Sequence, residues 1–146
     1  MSTEYSAKII LNLSQVRAMR RAQQEMYDKG INVPNEAALA LALSPVAGIL
    51  SLVFIASTAP SAALGTVSVV AGLYPQSEKD LLKALVYEGY WQMGYLESFL
   101  MDNPNYDMME VLLPFIQYQP SNGTIRFVTG AGVITRVHSG SGWILS

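Results

Sequence analysis

Few residues in this 146-residue chain could do chemistry, and they are scattered. His138 is the single histidine, followed by Ser139, Gly140, Ser141, Gly142 and Trp143. Serine beside imidazole suggests nucleophilic catalysis, which needs the two side chains face to face and a carboxylate to orient the ring. The Gly-x-Ser-x-Gly elbow is absent from this string, so His138 reads as a polar residue at a strand end. Asp102, Asn103, Asn105, Asp107 and Glu110 form the densest group of oxygen ligands. They lack the sixth-position glycine and the spacing of a calcium loop, and a helix-ending turn accounts for the same residues. Gly130-Ala131-Gly132 leads into Val133 and Ile134, a strand pattern, where a phosphate-cradling loop would open a helix. With no cysteine in the chain, thiolate zinc sites, iron–sulfur clusters and disulfides are excluded. The expectation is a non-enzymatic protein with no catalytic residues, no metal and no cofactor.

The elements that would carry these groups follow from composition. The chain is 51% apolar and 14% charged, with a net charge of -2. That balance excludes a disordered tail, and it makes a nucleic-acid partner unexpected, because phosphate affinity needs a local excess of cations. The first residues, Met1 to Glu4, lack the basic region of a signal peptide. Localisation stays open between a membrane surface and the inside of a particle.

Four stretches differ in character. From Glu4 to Lys29 the positions Ile9, Leu13, Val16, Met19 and Met26 recur at helical spacing, with Gly30 as a stop, and Arg17, Arg20 and Arg21 form a basic edge on another side. From Ala37 to Ser77 no charged residue or histidine occurs, and Ala37 to Ala56 is long enough to cross a hydrocarbon core of roughly 30 Å as a helix. Within this span Val46, Ile49, Leu50, Leu52, Val53, Phe54, Ile55, Leu64, Val69 and Val70 are candidates for contact with a membrane or a neighbouring subunit. The alternative is burial in the fold as short helices, one of them following Pro60, or as a strand over Thr66 to Val70.

A third stretch, Glu78 to about Met101, predicts a helix opened by Ser77. Its buried stripe is Leu82, Leu85, Val86, Met93, Leu96 and Leu100, with Gly89 on the same line. Tyr87, Tyr90, Trp91 and Tyr95 on that helix are candidate interface aromatics. From about Glu110 the pattern turns to short strands, 111–119, 124–129, 133–138 and 143–145, separated by turns at Ser121-Asn122-Gly123, Gly130-Ala131-Gly132 and Ser139 to Gly142. Pro114 demotes the first run to an edge strand or to a strand beginning after it. Arg126, Arg136 and His138 are expected together on an exposed side.

The expected fold is α+β and one compact unit. Residues 1–110 form a mainly helical region that includes the uncharged span 37–77, and residues 111–146 form a small antiparallel β-meander. Two functions suit this pattern. One is a membrane-interacting protein, holin-like, pore-forming or genome-ejection-like, that uses the uncharged span. The other is a structural subunit of a phage virion or injection particle, a homo-oligomer or part of a larger assembly, whose apolar span is covered by neighbours.

Overall fold

The computed structural model describes residues 2–31, 59–73, 76–119 and 124–145, together with position 37. Strand β1 is Ser2–Leu11, helix α1 is Leu13–Glu25 and continues through the π-helical turn Met26–Ile31, α2 is Ala59–Gly72 and α3 is Gln76–Asp102. The remaining strands are β2 Met108–Tyr118, β3 Ile125–Val128, β4 Val133–Ser139 and β5 Gly142–Leu145. The architecture is α+β, with a five-stranded antiparallel sheet in which β2 pairs with β1 along one side and with both β3 and β4 along the other.

The N-terminal region departs from the expected single helix. Ser2–Leu11 is a strand, and the helix starts only after Asn12, whose side chain accepts from the Gln15 amide while the Gln15 side chain accepts from the Asn12 amide. This reciprocal cap satisfies two donors that a helix start otherwise leaves unpaired. Upstream of it, Tyr5, Ala7, Ile9 and Leu11 turn toward the core while Glu4, Ser6, Lys8 and Ile10 turn outward, the period of a strand. Residues 1–110 are therefore not uniformly helical, since β1 lies at one end and the start of β2 at the other.

The C-terminal strands are not a simple meander. β3 and β4 run in the same direction along β2, β3 opposite residues 115–118 and β4 opposite residues 108–112. Gly130-Ala131-Gly132 is thus a break within one long strand, where a reversing turn is the sequence expectation. A Cβ on Gly132 would come within 2.8 Å of both Val111 and Leu113 side chains, so the break presses its backbone onto β2 and a larger residue there would displace those side chains.

Pro114 belongs to this arrangement. It sits in the middle of the central strand, against the expectation of an edge strand or of a strand beginning after it. Its carbonyl accepts from the Thr129 amide at 3.1 Å, so the side of Pro114 that lacks an N–H faces the gap between β3 and β4. The reciprocal bond from residue 114 to the Thr129 carbonyl is the one that proline cannot make, and the β2–β3 ladder ends at Phe115 and Val128.

The core lies between the helices and one face of the sheet. Met109, Val111, Leu113 and Phe115 of β2 are buried there, together with Val16, Met19 and Met26 of α1 and Leu82, Val86, Met93, Leu96 and Leu100 of α3. At the β3 end both faces are covered, because Ile116 shares a cleft with Gly72, Leu73, Leu82 and Leu85. Residues 66–70 belong to helix α2, which replaces the alternative of a strand over Thr66 to Val70. Thr66 donates to the Met26 sulfur at 3.2 Å and anchors α2 on the π-helical turn.

One polar residue is fully buried in the contact between the helices and the sheet. The Gln23 side-chain amide donates to the carbonyls of Val86 and Val128, and its oxygen accepts from the Val128 amide at 2.7 Å. Gln23 therefore occupies the free edge of β3 as a further strand would. Gly89 lets α3 close over the same point, since a Cβ there would lie 1.7 Å from the Val128 oxygen.

Candidate functional site

The described residues gather candidate functional side chains in two places, the outward face of α3 and the outer face of β2, β4 and β5. On α3 the buried stripe leaves Tyr87, Trp91 and Tyr95 one turn apart on the opposite side, 47%, 49% and 66% exposed. Tyr90 lies between the two faces. Its ring meets Trp91 edge-on at 6.0 Å, and Trp91 meets Tyr87 at 6.2 Å. Tyr27 of the π-helical turn packs on Tyr87 at 5.4 Å, and with Gln24, Asp28, Tyr87, Tyr90 and Trp91 it lines a cleft of about 140 Å³.

Two cations already lie on these rings. The Lys83 ammonium is 5.2 Å from the Tyr27 ring, and the Arg20 guanidinium is 4.3 Å from the Tyr90 ring. Ring faces attract cations, so the cluster is electrostatically prepared for a polar as well as an apolar partner.

The expected basic edge of α1 is largely engaged inside the chain. Arg20 pairs with Glu97 at 3.2 Å and donates to the Tyr90 carbonyl, and Arg17 reaches the same carboxylate at 3.5 Å. The absence of a side chain on Gly94 leaves room for the Arg20 guanidinium. Arg21 stays exposed.

The candidates in the uncharged span divide sharply. Val69 and Val70 of α2 are buried in the chain's own core, at 8% and 2% exposure. Leu64 lies on α2, without a described side chain, and Val46, Ile49, Leu50, Leu52, Val53, Phe54 and Ile55 lie outside the described residues. No helix among the described residues is long and apolar enough to cross a membrane.

On the sheet, His138 pairs with Asp107, Nδ1 to carboxylate oxygen at 2.7 Å, and its ring packs edge-on against Trp143 at 5.1 Å. Two residues along the same strand, Arg136 pairs with Glu110 at 2.9 Å and lies over the Trp143 ring at 4.2 Å. Glu110 also accepts from the Thr135 hydroxyl at 2.8 Å, at a bulge where β4 gains one residue on β2. Arg126 is separate from this group. It is opposite Gln117 on β2, donates to the Tyr5 hydroxyl and stacks on Phe115, on the other face of the sheet from Arg136 and His138.

An imidazole held by a carboxylate through Nδ1 has a fixed tautomer and an available Nε2, the posture of a general base. Ser139 and Ser141 hydrogen-bond each other at 3.2 Å. Asp107 and His138 join the turn after α3 to the last hairpin, which the Asp107 amide reinforces by donating to the His138 carbonyl. Sequence spacing could not bring together residues 107 and 138, because the pairing depends on the register between β2 and β4. No group of acidic residues and histidine suited to a metal occurs among the described residues.

The two carboxylates of these pairs set an acid-side stability. The hydrogen bond from His138 holds the Asp107 carboxyl below its ordinary value of 3.8, and Arg136 and then Thr135 hold Glu110 below 4.5. A carboxyl whose folded value is depressed binds its proton more readily unfolded, so its contribution is present above the unfolded value and lost as pH falls through the folded one. The expected result is a midpoint of thermal unfolding that begins to fall as the pH drops past the ordinary carboxyl values of 4.5 and 3.8 and goes on falling through the depressed folded ones. The Asp107→Asn and Glu110→Gln double variant should flatten this decline, and a wild-type slope in that variant would contradict the assignment.

No protein-family model, curated protein or solved structure matches the chain. Function therefore rests on the site alone.

Proposed function

We propose that this chain is a non-enzymatic assembly subunit that binds neighbouring protein subunits through the outward face of α3. The observation that carries this reading is the row Tyr87, Trp91 and Tyr95, which stays exposed on a helix whose other face is anchored in the core. Aromatic side chains on a rigid element bury much area with little loss of rotamer freedom, and they concentrate at the centres of protein interfaces. The adjoining cleft between Tyr27 and Trp91 supplies a place for a partner side chain. A structural subunit of a virion or injection particle is the setting this reading favours.

Trp91→Lys combined with Tyr95→Lys should lower the sedimentation coefficient of the assembled chain while leaving its unfolding midpoint nearly unchanged. Truncated interface aromatics commonly cost about 2 kcal/mol or more, on the order of thirtyfold in affinity. An undiminished assembly would count against the reading.

The charge-free residues 37–56 favour a second reading, contact with a lipid bilayer. The neighbouring elements restrict its form. Residue 31 ends the π-helical turn and residue 59 begins α2, and these two elements pack together through Met26 and Thr66. A chain leaving and rejoining one body crosses a bilayer twice or not at all. Two helical passes of a hydrocarbon core of roughly 30 Å need about 40 residues, more than residues 32–58 supply, so this second reading is one of contact with the lipid surface and suits a peripheral role better than a pore.

A further inference from the structure

The two edges of the sheet differ. At one edge, β5 offers four uncharged residues. At the other, β1 offers ten residues, Glu4 and Lys8 among them, and no described strand pairs with its outer side. Hydrogen-bonding direction along β1 follows from its register. Ser6 is opposite Pro114, and the Pro114 carbonyl is directed away from β1 to Thr129. Ser6 and Pro114 are thus a non-hydrogen-bonded pair. The backbone N–H and C=O groups of Ser6, and by alternation those of Glu4 and Lys8, point away from the sheet toward the open edge.

The side chains at these positions carry charge in a symmetric arrangement. Glu4 and Lys8 lie two residues to either side of Ser6, both are exposed, and neither makes an ion pair among the described residues. In one strand they are about 13 Å apart, too far to meet each other. Glu110, the carboxylate nearest Lys8 on β2, is already held by Arg136 and Thr135.

We propose that β1 is a homodimer interface, in which two copies pair edge to edge, antiparallel about Ser6, with Glu4 of each opposite Lys8 of the other. The outward-directed backbone groups of one copy must meet those of the other, which requires even-numbered residues opposite even-numbered residues, and the core faces must stay on one side, so that the two sheets join as one. Registers centred on any of residues 4 to 8 meet both requirements, and charge decides among them. Centring on Glu4 or Lys8 opposes like charges, and centring on Tyr5 or Ala7 sets each charged residue opposite an uncharged one. Centring on Ser6 sets Glu4 opposite Lys8 and overlaps nearly the whole strand. Each facing pair among residues 4, 6 and 8 exchanges two backbone hydrogen bonds, about six in all. Opposite charges facing each other across strands add to the pairing, and like charges oppose it. The partner is therefore a second copy of this chain, joined by strand addition.

The proposal rests on the assembly reading and adds an interface separate from the α3 row. Sedimentation equilibrium of the full chain tests it with Glu4→Lys, Lys8→Glu and the double exchange. Each single change places like charges opposite one another twice and should weaken the dimer on the order of tenfold, whereas the double exchange restores it. Because the chain has no cysteine, Ser6→Cys should give a covalent dimer under oxidising conditions, and Ser141→Cys, exposed in the turn between β4 and β5, should not. A chain that is monomeric at every concentration overturns the proposal, as do single variants that dimerise as well as the parent, or a double exchange that fails to recover. If Glu4→Lys has no effect while the α3 variant still disperses a larger assembly, β1 is not the interface and the assembly reading stands. If Glu4→Lys splits a dimer that the α3 variant leaves intact, the homodimer stands and the α3 reading fails.

Discussion

Gly89→Ala should lower the stability of the fold by about 3 kcal/mol, a fall of roughly 10 °C in the midpoint of thermal unfolding for a domain of this size. At an exposed helical position the same change stabilises by up to about 1 kcal/mol, because alanine is the better helix former. The opposite sign is expected because the added carbon would lie 1.7 Å from the Val128 oxygen and 2.5 Å from its carbonyl carbon. Neither can retreat easily. Val128 is opposite Phe115 in the sheet, and its amide and carbonyl are both bonded to Gln23. Relief would need α3 to lift away from the core that Leu82, Val86 and Met93 fill. A loss of less than about 1 kcal/mol in denaturant unfolding would show that the contact is looser than this.

Gln23→Leu should cost about 3 kcal/mol for a different reason. Leucine fills a similar volume but makes none of the three hydrogen bonds, so the Val128 amide and carbonyl are left buried without that partner at about 1–3 kcal/mol each, offset in part by added apolar burial. Gln23→Glu should also destabilise, since a carboxylate cannot donate to the Val86 and Val128 carbonyls and its charge would be buried. Gly89 and Gln23 meet at the same carbonyl. The double variant is therefore expected to lose less than the sum of the two single losses, and strict additivity would show that the sites act separately.

Much of the helical framework was legible because it obeys one period without competition. Leu82, Val86, Met93, Leu96 and Leu100 lie on the buried face of α3 where their spacing puts them, and Tyr87, Trp91 and Tyr95 are displaced from that face by the same spacing. The N-terminal strand was not legible because two periods coincide there. Ile9 falls on the helical stripe of Leu13, Val16 and Met19 and also on the strand alternation of Tyr5, Ala7 and Leu11. Asn12 with Gln15 three residues later carried the boundary signal, and it reads as an interruption only if the helix is assumed to have begun already.

Pairing across the chain was the least accessible part. Local residues show that Gly130 and Gly132 break a strand, but whether the chain then reverses or continues depends on the room that Pro114 leaves on β2. The same register brings Asp107 to His138 and Glu110 to Arg136, pairs separated by about thirty positions. The composition of the uncharged span showed that something must cover it. For Val69 and Val70 the cover is this chain's own core, a result that no count of apolar residues could separate from lipid or a neighbouring subunit.

The central claim, assembly through a folded aromatic face in preference to insertion in a bilayer, is tested most directly by sedimentation velocity of the full chain and of its Trp91→Lys, Tyr95→Lys variant, each with and without anionic lipid vesicles. The expected result is a discrete oligomer of the parent chain that vesicles leave unchanged, together with a smaller species for the variant. Parent chain and variant both carried with the vesicles, or both sedimenting as the same species without them, would contradict it.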